Sequence, residues 1–288
     1  MELAHDRARA RPGEGIAADA SRLVGSGSRT GVRAMTAGSE FFGKTAIVTG
    51  GGTGIGFAIA RAFARAGAKV AIAGRTRDRL VHAAALIEEM GGEVLVVLAD
   101  VAVAADCARI VTAAVERFGA ADILVNNAAH FALLPLIEAD AEATARFLGA
   151  NVAGPLQCAR AFAADVIARG RKGAIVNVSS IAGARPAPGC GLYSASKAAL
   201  DMLTKSMALE WGPLGLRVNA VAPGHVATEG VLEDFQAGRL DEAKMLAAIP
   251  ARRIADVDDI ADAVLFLSSP AARHVMGQVL TVDGGEGF

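Results

Sequence analysis

Tyrosine and tryptophan occur once each in this 288-residue chain, and cysteine three times. So few phenols and indoles exclude an aromatic belt for a membrane interface and a stacking platform for bases. Cys107, Cys158 and Cys190 are too few and too scattered for a disulfide framework or a zinc site. They read as small buried hydrophobes of a reducing, cytoplasmic compartment, and no metal is expected. Net charge is missing too: 29 Lys and Arg against 30 Asp and Glu leave −1. That balance excludes nucleic-acid or membrane-surface binding driven by charge. Mean hydropathy is +0.39, raised by alanine and glycine, yet no uninterrupted apolar run approaches the ~20 residues of a spanning helix.

What is present falls into two parts. Residues 1–40 are rich in Arg, Gly, Ala and Ser, follow no period and lack the apolar stretch of a secretory signal. They are expected to be a disordered extension, and residues preceding a start at Met35 would read the same way. From Lys44 onward, short apolar runs alternate with amphipathic stretches of helix length. Seven strands are expected: Thr45–Thr49, Val70–Gly74, Val94–Ala99, Ile123–Asn126, Ile175–Ser179, Arg217–Ala222 and Val279–Val282. They are apolar on both faces, which suits buried parallel strands covered by helices. Helices are expected over Gly56–Ala66, Arg77–Met90, Ala105–Phe118, Ala141–Arg169, Tyr193–Trp211 and Val257–Leu267, the first three followed by Gly67, Gly91 and Gly119 as left-handed stops. The alternation implies right-handed βαβ units and one doubly wound α/β domain of the Rossmann type over 41–288, with a seven-stranded parallel sheet.

The first βα junction reads Thr49-Gly50-Gly51-Gly52-Thr53-Gly54-Ile55-Gly56. Glycines there permit a tight turn and close approach of the backbone to a pyrophosphate, which the helix N-terminus then faces with free N–H groups. The spacing is not Gly-x-Gly-x-x-Gly, since Phe57 stands at the third position. After the second strand, Gly74 and Arg75 stand where an acid would accept from both ribose hydroxyls. A guanidinium instead matches a 2′-phosphate, so NADP(H) is expected as the preferred cofactor, with NAD(H) possible. Arg75 and Arg77 also read as ordinary solvated charges opening a helix.

Tyr193 and Lys197 are four apart, so on a helix both project from one face. A phenol of pKa about 10 is a poor acid–base at neutral pH, and a nearby ammonium favours its ionised form. Ser180 ends the strand thirteen residues earlier, where a hydroxyl can stabilise charge developing on a substrate oxygen.

In this order the motifs resemble the short-chain dehydrogenase/reductase family over roughly 43–285. The resemblance implies hydride transfer between nicotinamide and a carbonyl or secondary alcohol, with Tyr193 as general acid/base. Ser180 would bind the reacting oxygen, and Lys197 would hold the nicotinamide ribose and tune the phenol. Asn151 would hold a water that resupplies protons to Lys197. It assigns Gly50, Thr53, Gly54, Ile55, Gly56, Asp100, Val101, Asn127, Pro223, Gly224, Val226 and Thr228 to the cofactor, together with Arg75, Tyr193 and Lys197. Asn126-Asn127-Ala128-Ala129 departs from the family's Asn-Asn-Ala-Gly at Ala129. Residues 229–250 read as a lid or a solvated helical hairpin. Pocket walls are expected from 130–134, 182–191, His225, Val226 and the lid, with Arg185 either meeting an anionic tail or facing solvent. Among family members the pattern is similar to 3-oxoacyl-carrier-protein reductases and secondary-alcohol dehydrogenases, so a 3-oxoacyl thioester or related small ketone is expected. An enoyl-thioester reductase and a non-catalytic dinucleotide sensor or scaffold remain alternatives. The resemblance also implies a homotetramer.

Overall fold

A computed structural model describes residues 40–238 and 241–287. Apart from Glu40, the N-terminal extension expected from the sequence lies outside the described residues. The chain runs β1 (Thr45–Thr49), α1 (Gly54–Arg65), β2 (Lys69–Gly74), α2 (Arg77–Glu89), β3 (Val94–Leu98), α3 (Ala104–Phe118) and β4 (Ile123–Asn126). It continues through α4 (Ala141–Leu148), α5 (Gly154–Ala168), β5 (Gly173–Val178), α6 (Gly191–Trp211) and β6 (Leu216–Pro223). Two short helices follow, α7 (Glu229–Gln236) and α8 (Glu242–Ala248), then α9 (Val257–Ser268) and β7 (Val279–Val282).

All seven strands pair in parallel, in the order β3-β2-β1-β4-β5-β6-β7. Strand order therefore reverses between β1 and β4, where an open α/β sheet leaves a crevice at the carboxyl ends of its strands.

The strand period of two sends alternate side chains into two separate cores. On one face Ala46, Val48, Val70 and Ile72 pack against Ile59 and Phe63 of α1, Leu80 and Ile87 of α2, and Val264 of α9. On the other Ile47, Ala71, Leu124 and Ile175 meet Ile110 of α3, Phe162 of α5 and Met207 of α6. Each fully buried branched side chain of this kind contributes about 1.5–3 kcal/mol by leaving water. Gly173 at the start of β5 is required by this packing, since a Cβ there would stand 2.9 Å from the Phe162 ring.

The expected glycine stops are realised, with φ +87° at Gly67, +81° at Gly91 and +89° at Gly119. One expectation needs correction. The single helix expected over 141–169 is two helices joined by a π turn, Gly149–Ala153. Gly149 opens that insertion and Gly154 follows it; Gly154 carries no Cβ that would strike Val101 O, 2.7 Å from the ideal position. The widened turn holds Asn151, and such insertions recur at functional sites. The segment expected as a lid or hairpin contains the two short helices α7 and α8.

Candidate active site

The crevice opens into two adjoining cavities that share Ile55, Asn127, Ala129 and Thr228 as walls. One, of about 450 Å³, lies over the glycine loop and is lined by Gly50, Thr53, Gly56, Arg75, Asp100 and Val101. The other, of about 560 Å³, is lined by Ser180, Tyr193, Lys197, Pro223, Gly224 and Val226.

The glycine loop fits a dinucleotide on its own geometry. Gly50 and Gly54 have φ +67° and +53°, the left-handed region that favours glycine. A Cβ at Gly56 would come 2.1 Å from Gly50 O and 2.4 Å from Asn127 Nδ2. No side chain caps the start of α1, so its first N–H groups are left for an external acceptor. Thr49 braces the far wall: its hydroxyl accepts from Asn127 N at 3.0 Å and Ala128 N at 3.1 Å. Asn127 Nδ2 in turn donates to Thr49 O at 3.0 Å, so this amide shapes the loop while forming part of the cavity wall.

Arg75 leaves β2 with its side chain 72% exposed, 3.9 Å from Asp100 Oδ2. That separation in open solvent is a weak interaction, and the guanidinium stays available at the cavity edge. Asp100 accepts from Ala102 N at 2.9 Å and so also shapes the turn after β3.

Tyr193 and Lys197 share one face of α6, with the Lys197 Nζ 5.6 Å from the phenol ring centre. Nζ donates to Val178 O at 2.8 Å. Complete burial pulls the Lys197 pKa down to about 8, an effect that Asp201 opposes. Burial pushes the Tyr193 phenol up, while a hydrogen bond with Ser180 pulls it down. The lowered phenol expected from Lys197 is thus not a property of the protein alone. Desolvation penalises phenolate, and the ammonium sits over the ring without bonding its oxygen.

Asn151 lies behind the cavity, fully buried. Its Oδ1 accepts from His130 N at 2.7 Å, and Nδ2 donates to His130 O at 2.9 Å and Ser196 Oγ at 2.9 Å. The side chain is therefore committed to protein partners.

Ser196 and Glu286 belong to the site without a signal in the sequence, whereas Phe131, Arg185 and His225 lie in the expected walls. Ser196 links Asn151 to Tyr193 O, to which its hydroxyl donates at 2.7 Å. Phe131 packs edge-on to Tyr193 with ring centres 5.0 Å apart. Glu286 folds back from the C-terminal end, accepting from His225 N at 3.1 Å and pairing with His225 Nδ1 at 2.6 Å. The Arg185 guanidinium donates to Glu286 O. Phe131 lay within an expected wall, but nothing local in the sequence joins residue 286 to residue 225. Among the described residues no cluster of His, Cys, Asp or Glu could hold a metal ion, and no helix is long and apolar enough to cross a membrane.

A doubly wound sheet with a capless, glycine-rich βα turn at its switch point and a Ser-Tyr-Lys constellation beside it, half-buried at Ser180 and Tyr193 and buried at Lys197, defines a nicotinamide-dependent oxidoreductase. The chain belongs to the short-chain dehydrogenase/reductase family and is an NAD(P)-dependent enzyme acting on alcohols and ketones. Residues 50–286 match the family model described as enoyl-(acyl carrier protein) reductase. A sorbitol dehydrogenase of Cereibacter sphaeroides is 40% identical over 251 residues, covering 84% of this chain and 97% of that protein. The crystal structure of a putative short-chain alcohol dehydrogenase from Sinorhizobium meliloti 1021 is similar at 36% identity and TM-score 0.80, over 86% of this chain and 97% of that one. A 7α-hydroxysteroid dehydrogenase complexed with NADH and 7-oxo glycochenodeoxycholic acid is 34% identical at TM-score 0.80, over 85% of this chain and 95% of that one.

Proposed function

We propose that the enzyme is an NADP(H)-preferring reductase of small ketones, or dehydrogenase of the matching secondary alcohols, working in the cytoplasm as a homotetramer. The observation that carries the cofactor preference is Arg75, exposed at the rim of the glycine-loop cavity with Gly74 in place of an acid. Gly50, Thr53, Gly54, Ile55 and Gly56 would hold the pyrophosphate, Asp100 and Val101 the adenine. Asn127, Pro223, Gly224, Val226 and Thr228 would border the nicotinamide half. When bound, the nicotinamide supplies or accepts the hydride.

The chain's own groups handle the proton. Ser180 Oγ orients the substrate oxygen and donates to it as negative charge grows there. Tyr193 gives its phenolic proton to that oxygen in reduction and takes one back in oxidation. Lys197 holds a positive charge below the phenol, which favours the phenolate once formed. Asn151 braces the π turn against α6, and because its side chain is bonded to His130 and Ser196, that side chain is not the group that would hold the proton-resupplying water implied by the family resemblance.

Apart from its catalytic groups, the second cavity is walled chiefly by Phe131, Ile181, Pro186, Ala187, Val226 and Val231. This lining supports a substrate with apolar flanks around the carbonyl, a 3-oxoacyl thioester or a related small ketone. A second reading, oxidation of a sugar alcohol as the name of the Cereibacter relative states, draws on the polar rim of Arg185, His225 and Glu286.

The test is oxidation of NADPH, and separately NADH, with acetoacetyl thioesters, simple ketones, steroids and ketoses. NADPH-dependent consumption of a thioester or simple ketone supports the first reading, and turnover confined to ketoses supports the second. Tight NADPH binding with no turnover on any carbonyl would overturn both. Arg75→Asp should move the preference toward NADH, and an unchanged NADPH:NADH ratio would remove Arg75 from the 2′-phosphate site.

A further inference from the structure

Lys197 carries a difficult burden for a group with so little support. Its side chain is 2% exposed, and an ammonium has three N–H donors to satisfy. Among the described residues Nζ has one hydrogen-bond partner, Val178 O at 2.8 Å. Burying a charge so sparsely bonded favours the neutral amine, yet the proposed chemistry needs the cation.

One helical turn further along α6 stands Asp201, on the same face as Lys197. Its Oδ1 is buried without an aligned hydrogen-bond partner, as is the neighbouring Ser179 Oγ. Oδ2 lies where a side chain at Gly183 would stand, 2.7 Å from that residue's ideal Cβ. Gly183 closes the short 3₁₀ turn Ile181–Gly183 that follows Ser180. The carboxylate is thus housed between the strand end that carries Ser179 and Ser180, the bare glycine after it, and the helix that carries Lys197.

We infer that Asp201 is a positioning residue whose carboxylate keeps Lys197 protonated inside the site. This rests on the proposed role of Lys197, and its physics is Coulombic: a negative charge in a partly desolvated site opposes loss of the proton from the buried amine. The direction agrees with Asp201 being the group that opposes the burial-driven fall of Lys197. The groups facing Asp201 are Lys197 and Lys205 on its own helix and Ser179 from the end of β5. Those near Lys197 are Asp201 and Tyr193, with Cys190 beside the phenol. Among the described residues Asp201 is the one carboxylate that opposes the fall of Lys197.

The experiment reads Lys197 itself. The chain has six lysines, at 44, 69, 172, 197, 205 and 244, so ¹³C-lysine labelling gives few signals, and the Lys197→Arg variant assigns the one that disappears. In wild type the Lys197 Cε signal should titrate near pH 8. In Asp201→Asn the midpoint should fall by roughly one pH unit or more, and Asp201→Glu should restore it. Asp201→Ser should behave as the asparagine variant does and serves in its place if the amide does not fold. The alkaline limb of kcat/KM for ketone reduction should shift by the same amount, with rates at low pH changed little.

An unmoved Lys197 midpoint in both neutral variants would overturn the inference. So would a loss of activity uniform across pH with the midpoint unchanged, which marks a purely structural role. The titration needs no substrate. If no carbonyl is ever turned over, the functional reading fails while the link between Asp201 and Lys197 still stands or falls on the spectrum.

Discussion

Asn151 and Ser196 meet at 2.9 Å, amide nitrogen to hydroxyl oxygen, and this contact ties the π turn to the helix that carries Tyr193. Ser196 passes the link to Tyr193 O, so a chain of hydrogen bonds runs from His130 through Asn151 to the backbone of α6. Asn151→Ala would strip partners from His130 N and O inside a buried network. The expected cost is about 1–3 kcal/mol of stability for each group left unsatisfied, read as a lower midpoint in denaturant unfolding. A midpoint equal to wild type would show that the π turn holds without this brace.

Tyr193→Phe removes the one phenolic proton while keeping the ring that packs against Phe131. Turnover should fall by about 100- to 10,000-fold, the range for losing a general acid, with NADPH affinity within a few fold. Steady-state rates and fluorescence titration of NADPH check the two halves separately. Full activity in this variant would remove Tyr193 from the proton transfer.

Gly56→Ala places a methyl carbon 2.1 Å from Gly50 O, a distance the loop meets only by opening. Dinucleotide affinity should drop at least about tenfold, equivalent to roughly 1.4 kcal/mol, while the far half of the sheet stays folded. Fluorescence titration with NADPH measures the loss, and an unchanged affinity would mean that the loop does not cradle the pyrophosphate.

Lys197 also makes a pH prediction for stability. Its folded pKa, about 8, lies below the reference value of 10.5, so between those values the unfolded chain binds more protons than the folded one. Stability from this group is therefore fully present above pH 10.5 and is lost as pH falls through 8. Wild type should gain stability relative to Lys197→Met across that window, by up to about 3 kcal/mol at 1.36 kcal/mol per unit. Denaturant unfolding of both proteins from pH 7 to 10.5 tests it, and parallel curves would show that Lys197 does not titrate in the window.

Much of the fold was readable because each layer left a local signature. β-branched runs and the stops at Gly67, Gly91 and Gly119 placed every strand to within about two residues. The positions of the proposed catalytic groups were readable for the same reason, since Tyr193 and Lys197 share a helix and Ser180 ends a strand. The interruption at Gly149–Ala153 was not. A π turn changes the ladder by one residue, and the apolar period on either side continues almost undisturbed. Nor was the folding-back of Glu286 onto His225, a contact 61 positions apart along the chain. The phenol's environment was not legible, because spacing shows that Lys197 is near but not that the amine is buried while the phenol is half-buried at the cavity wall. Asp201 was not legible at all: one more acid on a helix carries no mark of where its carboxylate will be housed.

The single tyrosine of this chain has a consequence beyond chemistry. Every phenol signal the protein emits comes from Tyr193, in contact with Phe131 on one side and Lys197 on the other. The phenol-to-phenolate difference in ultraviolet absorbance, which in most enzymes averages many tyrosines and to which Trp211 does not contribute, here becomes a site-specific electrode. Ligand entry, loss of the lysine charge and displacement of Phe131 each register on the same ring, with no label attached.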